Sequence, residues 1–531
     1  MKLVTVAEMQ AVERQADAHG LSYAQMMQNA GANLARAVQA AYDTVADKSA
    51  LGLVGSGNNG GDTLVALAFL AARGWQTAAY AVRSRPADDP LVVQLLAAGG
   101  QYVAAWDDPG CRQLASLLGE YSLVLDGVLG TGVRLPLRPE VADVLGLVKE
   151  TVNALEHPPY IVAVDCPSGV DCDCGQAAPE TLPADLTVTM AAVKQGLLRF
   201  PAFGLLGDLR LVGIGNLAGL PAWEQIRRFV VDAAWVRSRL PARPLDAHKG
   251  TFGAALVVAG SLNYSGAALL AGEAAYRIGA GWVTLAVPAS LHAALAGQLP
   301  EATWVLLPEE NGFIAAAAAD VLREQLERPT ALLIGPGLGL QQSTGNFLAD
   351  FLPGFPSETS FPALVIDADG LKLLAWRPDW PSRLPAPAVL TPHPGEMAIL
   401  TGLAGQEVQA DRIGVAERYA ARWGHVVVLK GAGTVIAAPD GRTAVIAVAT
   451  PALARAGTGD VLAGMIAGLR AQGLDAFEAA AAGAWIHAQA GLRAAESLGS
   501  TAAVLAGDVL AGVVGVVGEM MKTHPHQAAR P

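Results

Sequence analysis

Short, uninterrupted apolar runs set between Ala-rich helical stretches constrain this chain more than any other feature. Leu51–Val54, Leu123–Leu125, Ile161–Val164, Ala255–Val258, Ala331–Ile334, Ala363–Ile366 and Val426–Leu429 each hold Val, Ile or Leu, and each closes at or beside Gly, Asp or Lys. A strand that is apolar at every position must be covered on both faces. Such strands between helices belong to parallel sheets. The expected fold class is therefore α/β, as doubly wound three-layer sandwiches. Ligands in such folds sit beyond the carboxyl ends of the strands, so the chemistry is expected in the residues that follow each run.

The length, 531 residues, suits more than one domain. Gly213–Pro221 carries Gly and Pro, and Arg239–Pro244 reads as a linker before the fresh strand at Ala255. Two domains are expected, 1–220 and 228–518, with Lys522–Pro531 as a frayed tail. Hydrophobic residues make up 52% and charged residues 16%, which excludes a mainly disordered chain. No stretch supplies the ~20 apolar residues of a membrane span, and the acid-bearing opening helix does not read as a signal peptide. Four cysteines, Cys111, Cys166, Cys172 and Cys174, are too few for a disulfide scaffold and point to a reducing cytoplasm. Cys172-x-Cys174 has no second pair at zinc spacing and is read as thiols. The net charge of -12 argues against a nucleic-acid partner.

The first loop after a strand is Gly55-Ser56-Gly57-Asn58-Asn59-Gly60-Gly61-Asp62. It contains G-x-G-x-x-G, a weak dinucleotide signal on its own. The acid such a fold needs after its second strand is missing, because Gln76–Val82 is followed by Arg83 and Arg85. That argues against a dehydrogenase. The loop reads instead as a backbone-amide nest at a helix start, suited to a phosphate. The plain alternative is a tight turn with Asp62 as N-cap. Two further strand ends carry Asp126-Gly127-Val128-Leu129-Gly130-Thr131-Gly132 and Asp165-Cys166-Pro167-Ser168-Gly169. Asn59, Asp126, Asp165 and Ser168 thus meet on one rim, and such hard oxygens suit an alkali or alkaline-earth cation.

These motifs in this order resemble the NAD(P)H-hydrate epimerase domain over about residues 1–215. That family interconverts the two epimers of hydrated, inactive nicotinamide cofactors. The resemblance implies potassium at Asn59, Asp126 and Ser168. It implies substrate along Asn58, Asn59, Gly60, Gly61 and Asp62, and along Gly130, Thr131, Gly132, Val133, Arg134, Leu135 and Pro136. It also implies Asp165 at the hydrated ring, as a catalytic group, and Lys194 beside the substrate. Met26-Met27-Gln28-Asn29-Ala30 resembles the family's M-E-N-A stretch with Gln28 for Glu, and Thr63 replaces a Gly after NNGGD.

The second half carries Asn263-Tyr264-Ser265-Gly266-Ala267, Gly335-Pro336-Gly337-Leu338-Gly339, Asp367-Ala368-Asp369-Gly370, Thr391-Pro392-His393-Pro394-Gly395-Glu396, Lys430–Thr434 and Gly457-Thr458-Gly459-Asp460. The last is the richest chemically. Small residues opening a helix leave free N–H groups at the positive end of its dipole, fit for phosphoryl oxygens. An aspartate just after them can take a proton from an attacking hydroxyl. Taken singly, it also reads as a plain helix start, and His393 as a structural histidine between prolines.

The set resembles the ribokinase-like ADP/ATP-dependent NAD(P)H-hydrate dehydratases over about residues 230–518. There a nucleotide phosphorylates the hydrate's hydroxyl, and elimination restores the dihydronicotinamide. The resemblance implies Asp460 as base. It implies Ala267, Gly337, Gly339, His393 and Asp460 against the S hydrate, and Lys430, Gly431, Ala432, Gly433, Thr434 and Gly459 on ADP or ATP. Asp367 and Asp369 would assist. Mg2+ is implied by the phosphoryl transfer. The joint expectation is one enzyme, isomerase and lyase, that repairs hydrated NADH and NADPH in the cytoplasm as a homo-oligomer, a tetramer or larger, with no nucleic-acid or membrane partner. The competing reading is a ribokinase-type small-metabolite kinase with a non-catalytic N-terminal binding module.

Overall fold

The structure, a computed structural model, describes residues 1–42, 47–83, 85–86, 88–352, 361–385 and 387–522. The closing stretch expected to fray lies outside them apart from Lys522. The chain divides into two compact units, Met1–Phe229 and Val230–Pro531.

The first unit opens with helix α1 (Val6–Ala18). Thr5 caps it: its hydroxyl accepts from Glu8 N at 3.1 Å, and the Glu8 carboxylate accepts from Thr5 N at 2.7 Å. That reciprocal pair satisfies two amides that the helix itself leaves unbonded. Helix α2 (Tyr23–Tyr42) follows and buries Met26, Ala30, Leu34 and Val38, a stripe at steps of four. Next come strand β1 (Ser49–Val54), helix α3 (Asn58–Ala71), β2 (Gln76–Ala81), β3 (Gln101–Ala104), helix α4 (Arg112–Glu120), β4 (Leu123–Gly127), helix α5 (Pro139–Ala154), β5 (Tyr160–Val164), β6 (Leu186–Met190) and β7 (Asp208–Val212). All pairings are parallel, in the order β3-β2-β1-β4-β5-β6-β7. Every residue of β1, β4 and β6 is buried. Alternate side chains feed two cores: Ala50 and Val54 pack toward α1, α2 and α3, whereas Leu51 and Leu53 pack toward α4 and α5. Strand order reverses between β1 and β4, and that switch opens a crevice at their carboxyl ends.

The second unit has a sheet of β8 (Ala254–Val258), β9 (Trp282–Pro288), β10 (Thr303–Leu307), β11 (Ala331–Ile334), β12 (Ala363–Ile366), β13 (Val389–Leu390) and β14 (Val426–Leu429). These seven pair in parallel, in the order β14-β13-β12-β11-β8-β9-β10. The antiparallel strands β15 (Val435–Ala437) and β16 (Thr443–Val445) extend it beyond β14. The reversal lies between β8 and β11. Helices α6 (Gly266–Arg277), α7 (Pro394–Thr401), α8 (Thr458–Ala471), α9 (Ala476–Leu498) and α10 (Ala506–Met521) belong to this unit. The crossing of α8 on α6 depends on Gly464, where a β-carbon would stand 2.1 Å from Ala271 O.

The α/β expectation holds in both halves. No described helix is long and apolar enough to cross a membrane.

Candidate active sites

In the first unit, β1 ends at Val54 and the chain turns through Gly55, Ser56 and Gly57 into α3. Two glycines make the turn possible. A β-carbon on Gly55 would lie 1.9 Å from Val128 O, and one on Gly60 would lie 2.0 Å from Gly55 O. The helix begins at Asn58 with Gly57 as its cap. The alternative of Asp62 as N-cap therefore fails, because Asp62 is the fifth helical residue and its carboxyl faces the crevice.

The neighbouring strand ends converge on this turn. Asn59 Nδ2 donates to Val164 O at 2.6 Å and to Leu129 O at 3.2 Å. Asp126 is fully buried. Its carboxylate accepts from Ser168 Oγ at 2.5 Å and from Ser168 N at 2.8 Å, and Ser168 Oγ in turn accepts from Leu129 N at 2.9 Å. Burial pushes the Asp126 carboxyl up against the pull of the Ser168 bonds. Among the described residues no cation pairs with it. The structure thus brings Asn59, Asp126 and Ser168 together around a buried, uncompensated carboxylate.

Beside them lies a cavity of about 700 Å3 lined by Asn58, Asn59, Asp62, Thr131, Asp165 and Lys194, among others. Asp165 sits in the left-handed region at φ 66°, a cost that a non-glycine residue bears only where its surroundings hold it. Its Oδ1 accepts from Lys194 Nζ, from Thr189 Oγ1 at 3.1 Å and from Met190 N at 2.9 Å. Lys194 is buried and also bonds Met190 O at 3.0 Å. Of the segment 130–136, Thr131 reaches the cavity. Gly130 lies flat under Asn59, where a β-carbon would meet Oδ1 at 2.4 Å. Among the lining residues that escaped the sequence reading are three charged ones, Glu13, Arg85 and Asp89. Glu13 on α1 enters from the far wall, and nothing in an amphipathic helix marks it out. Arg85 does carry a signal, standing where a dinucleotide fold needs an acid; it pairs with Asp89 at 2.7 Å and donates to Gly55 O at 2.8 Å.

The second unit builds its site in the same place. Asp367, at the end of β12, is buried. Its Oδ1 accepts from Lys430 Nζ and from Thr391 Oγ1, each at 2.6 Å, and its Oδ2 meets no donor among the described residues. Lys430, at the end of β14, also lies 3.9 Å from Glu396 Oε2. Burial alone would lower the Lys430 ammonium, but the Asp367 and Glu396 carboxylates outweigh it and hold it above its ordinary range. His393 caps α7: its Nδ1 accepts from Gly395 N at 3.0 Å, and Glu396 closes the box on His393 N at 2.9 Å. The sequence T-P-H-P-G-E carries this box in its His-x-x-Glu spacing, a cue that the sequence reading left unused.

Gly457, at φ 90°, turns the chain into α8, so Thr458, Gly459 and Asp460 form its first turn. A β-carbon at Gly459 would stand 3.5 Å from Lys430 Nζ. Lys430 therefore faces the helix's free amides, a combination suited to an anion. Asp460 is pushed up to about 7, first by burial and then by the Asp367 charge, with Lys430 opposing. A cavity of about 460 Å3 is lined by His393, Lys430, Gly431, Ala432, Thr434 and Gly459, among others. His487 of α9, which the sequence reading did not single out, also lines it; burial pushes its imidazole down to about 4.

Ala267, Gly337 and Gly339 lie outside that lining but form their own cluster. A β-carbon on Gly337 would meet Ala267 Cβ at 2.9 Å, and Gly339 N donates to Asp369 Oδ2 at 2.9 Å. Ala368, between the two aspartates, takes φ 51° and ψ −120°. Among the described residues no group of three His, Cys, Asp or Glu side chains could hold a metal, and Cys172 and Cys174 are free thiols.

Two family models match the chain: one described as YjeF-related protein N-terminus over residues 23–196, the other as NAD(P)H-hydrate dehydratase over 255–510. A bifunctional NAD(P)H-hydrate repair enzyme from Moorella thermoacetica is 37% identical over 96% of this chain and 95% of its own. One from Salinibacter ruber is 38% identical over 94% and 92%. Among solved structures, the ADP/ATP-dependent NAD(P)H-hydrate dehydratase of Bacillus subtilis, co-crystallised with ATP and Mg2+, is 34% identical. It covers 55% of this chain and 98% of its own, with a TM-score of 0.47.

Proposed function

The chain belongs to the bifunctional NAD(P)H-hydrate repair enzymes, and on that premise we propose how its two sites divide the work. The enzyme returns hydrated NADH and NADPH to use. Residues 1–220 equilibrate the R and S epimers, and residues 228–518 dehydrate the S form at the expense of ADP or ATP. Dehydration alone would strand the other epimer, so the two activities complete each other.

In the second half, the nucleotide lies along Lys430–Thr434 and Gly459, and the hydrate reaches Ala267, Gly337, Gly339 and His393. The amides opening α8, with Lys430 beside them, stabilise the charge that develops on the phosphoryl oxygens. Asp460 takes the proton from the hydrate's hydroxyl as its oxygen attacks. A carboxyl at about 7 is well matched to that task at neutral pH. Phosphate then leaves where hydroxide would not. Mg2+ fits as a passenger of the nucleotide phosphates, whose charge it would neutralise, since the described residues offer no carboxylate cage. The observation that carries this half is that Lys430 and Gly459 line one cavity, with Asp460 next to Gly459 in the first turn of α8 and within the electrostatic reach of Lys430.

In the first half, Asn59, Asp126 and Ser168 would hold potassium. The atoms on offer, Asn59 Oδ1, the Asp126 carboxylate and Ser168 Oγ, are all oxygen, and a buried carboxylate with no counter-charge gains from a monovalent cation. The ion would fix the loop that presents Asn58–Asp62 and Gly130–Pro136 to the substrate, while Asp165 and Lys194 face the hydrated ring.

The exposed apolar side chains Leu492, Leu498, Leu505 and Val514 support a homo-oligomer, a tetramer or larger. Free cysteines and the acidic charge support a cytoplasmic enzyme without nucleic-acid or membrane partners. The deciding experiment supplies both epimers, Mg2+, K+ and either nucleotide, and follows the absorbance of the reduced nicotinamide. Full nucleotide-dependent recovery establishes the reading. Recovery of the S form alone removes the epimerase, and no recovery removes the dehydratase.

A further inference from the structure

Hydration leaves the nicotinamide with a hydroxyl on the carbon next to the ring nitrogen. Inverting that centre by loss and return of water breaks the C–O bond, and on that route hydroxide leaves poorly unless it is protonated as it goes. The epimerase cavity must therefore contain a group that carries a proton at neutral pH. It holds four carboxyl groups in different surroundings: Asp165 after β5, Asp62 on α3, Glu13 on α1 and Asp89, which is paired with Arg85. Asp165 accepts three hydrogen bonds, one of them from the Lys194 ammonium. Asp62 is 7% exposed, and among the described residues its carboxyl meets no hydrogen-bond donor. The cavity's other cation, Arg85, is taken by Asp89 and Gly55 O. Burial pushes the Asp62 carboxyl well above its ordinary range, the charges of Asp165 and Glu13 add to that, and Lys194 opposes it. Glu13 is itself raised, again mainly by burial. Carboxyls in one cavity whose surroundings differ this much divide naturally into acid and base.

We propose that Asp62 is the general acid of the epimerisation, with the Lys194-paired carboxylate of Asp165 as its base. The ring nitrogen's lone pair forms a C=N bond as the C–O bond breaks, and the Asp62 proton passes to the departing oxygen, which leaves as water. A water molecule adds to the other face of the planar cation, and the electron pair returns to nitrogen. Asp165 takes the proton released by that water. The opposite epimer runs the same path with the two carboxyls exchanging roles. This assignment rests on the epimerase reading of the first half.

The test uses the full-length protein without nucleotide, so that dehydration is silent, and follows the two epimers by chromatography from pure R hydrate. Asp62→Asn slows interconversion by ~100-fold or more, the usual range for losing a general acid, and Asp62→Glu recovers part of it. Dehydration of pure S hydrate by Asp62→Asn, assayed separately, shows that the second unit is folded, and the partial rescue by Asp62→Glu reports on the first. A general acid works protonated, so the wild-type rate falls as pH rises through the Asp62 pKa. Glu13→Gln removes a like charge, lowers that pKa and moves the falling limb toward acid. Epimerisation by Asp62→Asn within about threefold of wild type, or a limb that Glu13→Gln leaves in place, overturns the proposal. A wild-type protein that interconverts nothing refutes the epimerase reading itself.

Discussion

Asp126 and Asp367 are both buried at the carboxyl end of a parallel strand, the first beside the switch between β1 and β4 and the second one strand away from the switch between β11 and β8, yet only one is given a counter-charge. Asp367 has Lys430 at 2.6 Å, whereas Asp126 has uncharged donors, the hydroxyl and amide of Ser168 and the amide of Val128. A buried carboxylate is costly unless it is paired. Where the chain supplies the lysine, its ammonium is held beside the free amides that open α8, a pairing suited to an anionic phosphate. Where it supplies none, the site suits a cation. Two similar sheets thus reach opposite ligand preferences through a single residue's charge.

The largest expected effect lies on the phosphate side. Asp460→Asn removes the only carboxylate of the α8 first turn and should cost ~100- to 10,000-fold in nucleotide-dependent dehydration. Epimerisation should be untouched. Parallel loss of both activities would mean that the two sites are not the separate centres described above.

On the cation side, Asp126→Asn should abolish the response of epimerisation to added K+ and slow it by roughly 10- to 100-fold, the scale for a disturbed ion site. Thermal unfolding gives a second readout. A ligand that binds only the folded state stabilises it in proportion to the logarithm of its concentration, so K+ should raise the wild-type transition and not that of the variant. A wild-type transition indifferent to K+ would break the comparison with Asp367 at its root.

A smaller effect sharpens the role of the Asp367–Lys430 pair. As the proposed base Asp460 must be ionised, so the dehydration rate should rise with pH and level off above about 7. Below that it should fall about tenfold per pH unit. Asp367→Asn removes the strongest neighbouring negative charge and should move this limb toward acid. An unmoved limb would show that burial alone sets it.

The elements of this comparison were unequally legible in the sequence. Asp126, Asp165, Asp367 and Lys430 follow continuous apolar runs, and in a parallel sheet a strand's end is where a ligand site forms. Position along the chain was therefore enough to find them, and the sheets themselves, being buried on both faces, were written in the same runs. Glu13 and His487 sit within helices whose pattern reports only which face is buried. That they reach a cavity depends on packing between elements far apart in sequence. The start of α3 also misled. Asp62 looks like a cap because capping residues usually precede a helix, but Gly57 turns the chain earlier, and Asp62 is carried into the crevice instead.

The smallest effect concerns how Asp367 is aimed. Ala368 holds φ 51° and ψ −120°, a conformation that costs an alanine about 1–3 kcal/mol and a glycine almost nothing. The turn it makes sends Asp367 to Lys430 and Asp369 to Gly339 N. Ala368→Gly should relieve that strain, while the freer unfolded chain takes back about 0.5–1 kcal/mol. The net gain of about 1 kcal/mol corresponds to a rise of about 2–4 °C in Tm for a unit of this size. If the aspartates are held by their own partners, as the Lys430 and Gly339 bonds indicate, dehydration keeps its rate in the variant. A variant that is more stable but several-fold slower would show instead that the strained turn itself, rather than Lys430, fixes the carboxylate beneath the phosphate site.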